Sequence, residues 1–390
     1  MTSFRLSDDH EQLRLTVADF ARAVVAPVIG GFYERGEFPY EIVAKMGKLG
    51  LFGLPFPEEY GGMGGDFFAL CLALHELARV DSSVAITLEA GVALGAMPIY
   101  RFGDAGQRTR WLPDLCQGTA LAAFGLTEPG GGSDIPGGMR TTARLEDGEW
   151  VIDGSKAFIT NAGTSVTSLI TALAITGRSN GRPEISAIVV PSGTDGLSIG
   201  PEYSKVGWCA SDTREVAFAG CRVPEANLLG EPGRGYAQFL EILDEGRIAI
   251  AALAAGLAEG CVDECVRYAQ ERSAFGHELG YYQGIQFKIA DMDVRAQAAR
   301  LAWHDAAARL VAEEPVKKHA AIAKLTASNA AMDNARDATQ IFGGYGFMNE
   351  FPVARFYRDA KVLEIGEGTS EVQRMIIARE LGLGGRAARH

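Results

Sequence analysis

Three short stretches of this chain have residue types and spacing that could do chemistry. In Gly366-Glu367-Gly368 a carboxylate stands between two residues without side chains, just ahead of a helical pattern that begins near Ser370. The glycines leave open space on both sides for a ligand, and the positive end of the helix favours an ionised, base-competent Glu367. A solvated turn carboxylate is the plainer reading. In Thr127-Glu128-Pro129-Gly130-Gly131-Gly132-Ser133-Asp134, backbone N–H groups unshielded by side chains sit beside two hydroxyls. Such a loop can cradle a diphosphate or the polar edge of a ring, or simply connect two elements. It is not a P-loop, because no Gly-Lys-Ser/Thr follows, and Ile135 stands where GxSxG needs its last glycine. The third stretch is Gln340-Ile341-Phe342-Gly343-Gly344-Tyr345-Gly346-Phe347. A GxGxxA match at Gly382 to Ala387 trails a helix with no βαβ unit around it and is dismissed as chance.

The elements that must position these stretches fall into three segments. From Ser7 to about Gly118 the pattern is helical, with Leu13, Val17, Phe20 and Val24 stepping behind the acidic residues Asp8, Asp9 and Glu11, and the pattern repeats over Phe67 to Arg79. Between these two runs, FPEEYGGMGG is turn chemistry. From Leu121 the period becomes that of strands. Thr141 to Leu145 and Glu149 to Ile152 read as a hairpin around Asp147-Gly148, followed by Leu169 to Thr176, Ile185 to Val190 and Arg214 to Phe218. After Gly235 come helical runs over Tyr236–Arg272, Gln283–Glu314, Val316–Ile341 and Ser370–Leu381, enough for a four-helix bundle. The first is rich in Ala and Gly, which permits close helix approach, and the last offers Ser370 and Gln373 as a capping box. The fold class expected is α+β: an N-terminal helical domain over 1–120, a middle antiparallel β-barrel or sandwich over 121–232, and a C-terminal bundle over 233–390.

The chain has 390 residues, 47% of them hydrophobic and 22% charged, which suits a folded protein of two or three domains. Its net charge of −12 argues against a nucleic-acid or anionic-membrane partner. The acidic start lacks an apolar core for a secretory signal, and the longest apolar stretch, Ile248 to Cys261, is too short to span a bilayer, so a cytoplasmic location is expected. Six scattered cysteines read as reduced packing residues. No metal site is expected, since His75-Glu76 is followed by Arg79 where HExxH needs its second histidine.

Taken in order, TEPGGGSD, AFITN (Ala157 to Asn161), LDEGR (Leu243 to Arg247), ERSAFG (Glu271 to Gly276), QIFGGYGF and GEGTSEVQR (Gly366 to Arg374) resemble the acyl-CoA dehydrogenase family over essentially the whole chain. The resemblance implies FAD-dependent α,β-dehydrogenation of a short- to medium-chain acyl-CoA to the trans-2-enoyl-CoA, in fatty acid or amino acid catabolism. It also implies a homotetramer that hands electrons to an electron-transfer flavoprotein. Glu367 matches the catalytic base, opposite a hydride acceptor at the flavin N5. The family stabilises the thioester oxygen through a flavin ribityl hydroxyl and the backbone N–H of the glutamate, here Glu367.

The same resemblance places Phe124, Leu126, Thr127, Gly132 and Ser133 along the FAD, with Phe158, Ile159 and Thr160 at the flavin ring and Thr369 and Glu371 completing the contacts. Arg272, Phe275, Gln283, Gln340, Gly343 and Gly344 would hold the ADP half across a subunit interface. Ser133, Asp244, Arg247 and Gly368 would contact the acyl-CoA. Taken singly, Arg272 could complement a helix dipole, Asp244 and Arg247 could form a surface ion pair, and Thr160 could be an ordinary strand residue.

Several departures refine these implications. Phe158 replaces the Trp of many members, which weakens the assignment of the electron acceptor. Gly246 occupies the position where a subgroup carries its base, and Ala85 the position of a glutaryl-binding arginine. Gly366 replaces a common Tyr, so room for an acyl group branched near the thioester is expected unless Tyr345 or Phe347 fills it. The competing readings are an oxidase or monooxygenase on the same fold, and a non-catalytic acyl-CoA binding protein.

Overall fold

The structure, a computed structural model, describes residues 6–383, so the extreme start and most of the Gly382 to Ala387 match lie outside the described residues. The first segment contains α1 (Asp8–Phe20), α2 (Ile29–Arg35), α3 (Tyr40–Lys48), α4 (Phe67–Ala78), α5 (Ser82–Glu89), α6 (Met97–Phe102) and α7 (Ala105–Cys116). Side-chain caps start most of the longer ones: Ser7 accepts from His10 N, Asp66 from Ala69 N, Asp81 from Ser83 N and Val84 N, and Asp104 forms a capping box with Gln107. The turn chemistry of residues 55–65 is steric as well as conformational, because a Cβ on Gly62 would collide with the backbone of Phe56.

The middle segment contains β1 (Leu121–Gly125), a short α8 (Ile135–Gly138), β2 (Thr142–Glu146), β3 (Glu149–Thr160), β4 (Thr167–Ser179), β5 (Arg182–Pro191), β6 (Leu197–Glu202), β7 (Thr213–Pro224) and β8 (Leu228–Leu229). The path through the sheet is β6-β7-β3-β2-β4-β5-β8, with β1 also paired to β4. The expected hairpin forms, with Glu146 opposite Glu149 and Thr142 opposite Asp153. The antiparallel expectation needs one refinement. β1 runs parallel to β4, and β2 meets β4 in parallel at Thr142 and Ile175. These contacts are non-local, and β1 has no hairpin partner in the sequence to reveal its direction.

The last segment contains α9 (Gly235–Glu271), a small ribbon of β9 (Ser273–Ala274) and β10 (His277–Glu278), α10 (Gln283–Val311), α11 (Lys317–Phe342), α12 (Pro352–Leu363) and α13 (Ser370–Glu380). The four expected helices are present, and α12 joins them. α9 is buried without a break from Glu245 to Cys261. Its glycines serve the close approach that the sequence suggested: a Cβ on Gly256 would strike the His75 carbonyl, and one on Gly260 the Arg79 carbonyl. The apolar run through α5 and α6, residues 82–102, is long and apolar enough to cross a bilayer by composition, yet 94% of its most apolar window is buried inside the fold. It is a core helix, and Ile248 to Cys261 is not the longest such run.

One buried carboxylate ties the three segments together. Asp359 on α12 accepts hydrogen bonds from Tyr33 Oη at 2.5 Å, Ser82 Oγ at 2.6 Å and the Trp208 N–H at 2.7 Å. Burial and neighbouring Asp81 push its carboxyl up to about 6, against the pull of those hydrogen bonds.

Candidate active site

Two of the three glycine-bearing stretches converge on one cavity of about 1100 Å³. The loop after β1 contributes Phe124, Leu126, Thr127, Gly132 and Ser133. β3 contributes Phe158, Ile159 and Thr160, α9 contributes Asp244 and Arg247, and the turn before α13 contributes Glu367, Gly368 and Thr369. The walls are mostly apolar with a few hydroxyls and charges, the pattern of a small-molecule site.

The glycine-rich loop is held by two residues to which sequence reasoning gave no role. Lys156 on β3, wholly buried, pairs with Glu128 at 2.8 Å, and Glu128 also accepts from the N–H groups of Arg140 at 2.6 Å and Thr141 at 3.0 Å. Asn161, last of the AFITN motif, donates from Nδ2 to the Thr87 carbonyl at 3.1 Å and so fastens the end of β3 to α5. A Cβ on Gly132 would meet nothing within 4 Å, leaving the loop open on that side.

Around Glu367 the turn is fixed from several directions. Glu367 has φ 51° and Gly368 φ 90°, so a non-glycine residue is held in the left-handed region, a strain that clusters at functional sites. Lys324 Nζ donates to the Gly368 carbonyl at 2.9 Å, and Gln373 Nε2 donates to the same oxygen at 2.8 Å. The helix cap is Thr369, whose hydroxyl accepts from Val372 N at 3.3 Å, rather than the expected Ser370 and Gln373 box. Gln373 instead satisfies the turn carbonyls, which a capping pattern read from spacing cannot foresee.

Burial dominates the electrostatics. It raises the Glu367 carboxyl above its ordinary value, opposed by the neighbouring Glu89 carboxyl and by the charges of Lys324 and Arg247. The expectation that a helix terminus would decide its charge state is therefore corrected: desolvation outweighs that field. Lys324 is pulled down to about 8 by burial, although Glu367 pulls the other way. Asp244 and Arg247 are ion-paired, and Arg247 is buried in the cavity wall, so the surface-pair alternative does not hold. Gly246 makes room for the Glu367 carboxyl, since a Cβ there would collide with its Oε2.

Gly366 also lines the cavity, and a Cβ on it would meet only the Val362 carbonyl oxygen, at 3.5 Å. Neither Tyr345 nor Phe347 is at the cavity. Tyr345 packs on Phe351 and beneath Arg272, and Phe347 is exposed. The remaining candidates lie elsewhere. Arg272, Phe275, Gln283, Gln340, Gly343 and Gly344 gather near the ends of α9 and α11 and the start of α10, all exposed, with the Phe275 ring 96% exposed. Glu371 is exposed on the first turn of α13.

The residues present fit a flavin. Phe124, Leu126, Phe158 and Trp208 line the cavity with the apolar and aromatic faces a flat ring needs, Thr127 and Thr160 supply hydroxyls, and the open Gly132 backbone leaves room for the chain beyond. Residues that the motifs did not mark are Glu89, Lys324, Lys156 and Trp208. For Glu89 a signal existed: it is the lone acid in the apolar run Val84 to Pro98.

Such a cavity, set among helices and a largely antiparallel sheet, with a carboxyl among apolar and aromatic walls, has the make-up of an enzyme site for a small-molecule substrate. Comparison with known proteins carries this further. Family models described as the N-terminal, middle and C-terminal domains of acyl-CoA dehydrogenase match residues 7–119, 123–221 and 233–382. The mouse mitochondrial short-chain specific acyl-CoA dehydrogenase is 42% identical over 97% of this chain and 91% of its own. Butyryl-CoA dehydrogenase from Megasphaera elsdenii superposes with a TM-score of 0.94 at 40% identity, covering 97% of this chain and all of its own. A chain from a structure described as the electron transferring flavoprotein of Acidaminococcus fermentans matches with the same score and identity, over 97% of this chain and 99% of its own. The chain belongs to the acyl-CoA dehydrogenase family, a family of flavin-dependent enzymes.

Proposed function

We propose that this enzyme removes the α- and β-hydrogens of a short-chain acyl-CoA, with FAD as cofactor and Glu367 as the base, to give the trans-2-enoyl-CoA. The observation that carries the reading is Glu367 itself. It stands on a strained left-handed turn and lines the same cavity as the aromatic residues Phe124, Phe158 and Trp208. When bound, FAD supplies the acceptor for the β-hydrogen as hydride. The chain's own groups do the rest. Glu367 takes the α-proton, and its raised basicity suits that task. Apolar walls exclude water, Lys324 and Gln373 fix the turn that carries the base, and Arg247 with Asp244 borders the acyl-CoA path.

The short-chain preference is supported by the mouse and Megasphaera relatives. An electron-transfer flavoprotein as acceptor is supported by the Acidaminococcus match. Phe158, 66% exposed on the cavity wall, offers that partner an aromatic edge. The exposed cluster from Arg272 to Gly344 supports a homotetramer, dimer of dimers, in which a neighbour completes the site for the ADP half of FAD. A cytoplasmic setting belongs to the same proposal, supported by the burial of the apolar run over residues 82–102.

The test is Glu367→Gln in the FAD-loaded enzyme. It should bind acyl-CoA with little change yet fail to bleach the flavin anaerobically, because the amide keeps the packing and lacks the basic oxygen. Rapid bleaching by butyryl-CoA in this variant would refute the assignment.

A further inference from the structure

Glu89 ends α5 inside the cavity wall and is 0% exposed. Neither of its carboxyl oxygens has a hydrogen-bond donor, and Glu367 Oε2 also lacks one. The two residues nonetheless line the same cavity, and each carboxyl perturbs the ionisation of the other. As two carboxylates they would leave three sealed oxygens unsatisfied and two like charges together in a wall of Ile86, Ala90 and Leu94. One shared proton removes the like-charge repulsion and satisfies two of the three oxygens, one on each carboxyl.

The surroundings decide which residue holds that proton. Lys324 on α11 and Arg247 on α9 act on Glu367, and Glu364 and Glu371 act on Lys324 from the flanks of the same turn. Glu89 has no basic partner among the described residues. Its remaining titratable neighbour is the buried Cys71 thiol on α4, kept protonated by desolvation. Asp359 on α12 faces Asp81 at the other end of α5, and Glu245 on α9 is taken by Arg101. The positive charges thus lie on the Glu367 side, and burial holds Glu89 in its neutral form.

We infer that Glu89 is a positioning residue: as the neutral acid it donates a hydrogen bond to the Glu367 carboxylate and holds the base in the orientation from which it takes the α-proton. The inference rests on Glu367 being the base. The α C–H bond breaks with its electron pair left on the acyl group, and the proton goes to the oxygen of Glu367 that Glu89 does not engage. Glu89 keeps its own proton throughout. Its donated bond also stabilises the ionised base and lowers its basicity, so it sets the pH at which the enzyme switches on.

The test compares Glu89→Leu and Glu89→Gln with wild type in the FAD-loaded protein. Glu89→Leu should lower kcat for butyryl-CoA by about tenfold, the scale of one hydrogen bond to a charged group. KM should stay nearly constant, and the acid limb of the kcat profile should move to higher pH. Glu89→Gln, whose amide still donates, should restore both. An acid limb that stays in place or moves to lower pH in Glu89→Leu would overturn the inference, the second result meaning that Glu89 is ionised. If Glu89→Leu does not hold FAD, infrared spectroscopy decides instead. A carboxylic acid C=O band at pH 7 should be present in wild type and missing in Glu89→Gln, and its absence from wild type overturns the inference. Failure of the base assignment is read separately, as flavin bleaching that survives Glu367→Gln.

Discussion

Replacing Gly366 with Tyr asks whether an empty place in the cavity wall sets the acyl preference. The backbone tolerates the change: Gly366 is not in the left-handed region, and a new Cβ meets one carbonyl oxygen at an ordinary 3.5 Å. The cost to folding should therefore stay below about 1 kcal/mol, as for substitutions without clash or strain. The ring has no competitor for the space, because neither Tyr345 nor Phe347 is at the cavity. An α-methyl branch is one methyl group larger than the straight chain at that point, and a misfit of that size in an apolar pocket costs about 1 to 3 kcal/mol. Wild type should therefore accept isobutyryl-CoA or 2-methylbutyryl-CoA at least as well as butyryl-CoA. In Gly366→Tyr the ratio of kcat/KM for isobutyryl-CoA to that for butyryl-CoA should fall by roughly 10- to 200-fold. The assay is anaerobic flavin bleaching at several substrate concentrations, with thermal unfolding as a control. An unchanged ratio in a variant that is folded and retains FAD would refute the reasoning, and the pocket would then be shaped by Leu94, Ile86 or another wall residue.

Arg272→Ala should lower FAD occupancy and weaken the oligomer together, measured by flavin absorbance and sedimentation; an apo-protein that remains a tetramer counts against the coupling. Glu128→Ala should cost about 3 to 5 kcal/mol by stranding buried Lys156, and adding Lys156→Met should recover part of it, measured by denaturant unfolding. The raised Asp359 carboxyl gives a pH test. Its contribution to stability is fully present below its unfolded value near 4 and is lost as pH rises through about 6, a difference of up to about 3 kcal/mol. Wild type should therefore gain stability relative to Asp359→Asn as pH falls from about 7 to 4, and a gap that moves the other way would show that Asp359 is held ionised.

Much of the architecture was legible because it is written locally. The acidic first turn of α1, the Asp147-Gly148 hairpin turn and the long periodic runs of α9 to α11 all act within a few residues of themselves. β1 was not legible in the same way, since its parallel pairing with β4 is made across the whole β2 and β3 hairpin. Neither was α12, hidden between the glycine turn and Glu367. In the site, the motif residues of two glycine stretches meet in one cavity, which order along the chain suggested without geometry. What escaped was the support behind them. Lys324 reaches Gly368 from a different helix, and Glu89 reaches Glu367 from a different segment; each looks alone in the sequence like an ordinary helix residue. Only the depth of burial turns them into partners of the base.

The backbone contact of α4 with α9 at Gly256 and Gly260 has a consequence for synthesis. The strands share a buried set of their own, including Trp150, Ile152, Ile170, Ile188 and Val216, and all of them have been made once Leu229 is joined. The sheet can therefore consolidate while the nascent chain is still short of α9. α4 and α5 cannot. Their apolar faces were made earlier, and α9, against which both pack, is still untranslated, so that part of their surface must wait unburied while the whole sheet is produced. Slowed translation between residues 120 and 235 should thus lengthen the period in which trigger factors and proteases see this chain. A chain terminated just after Leu229 should be aggregation-prone although every strand of the large sheet is present.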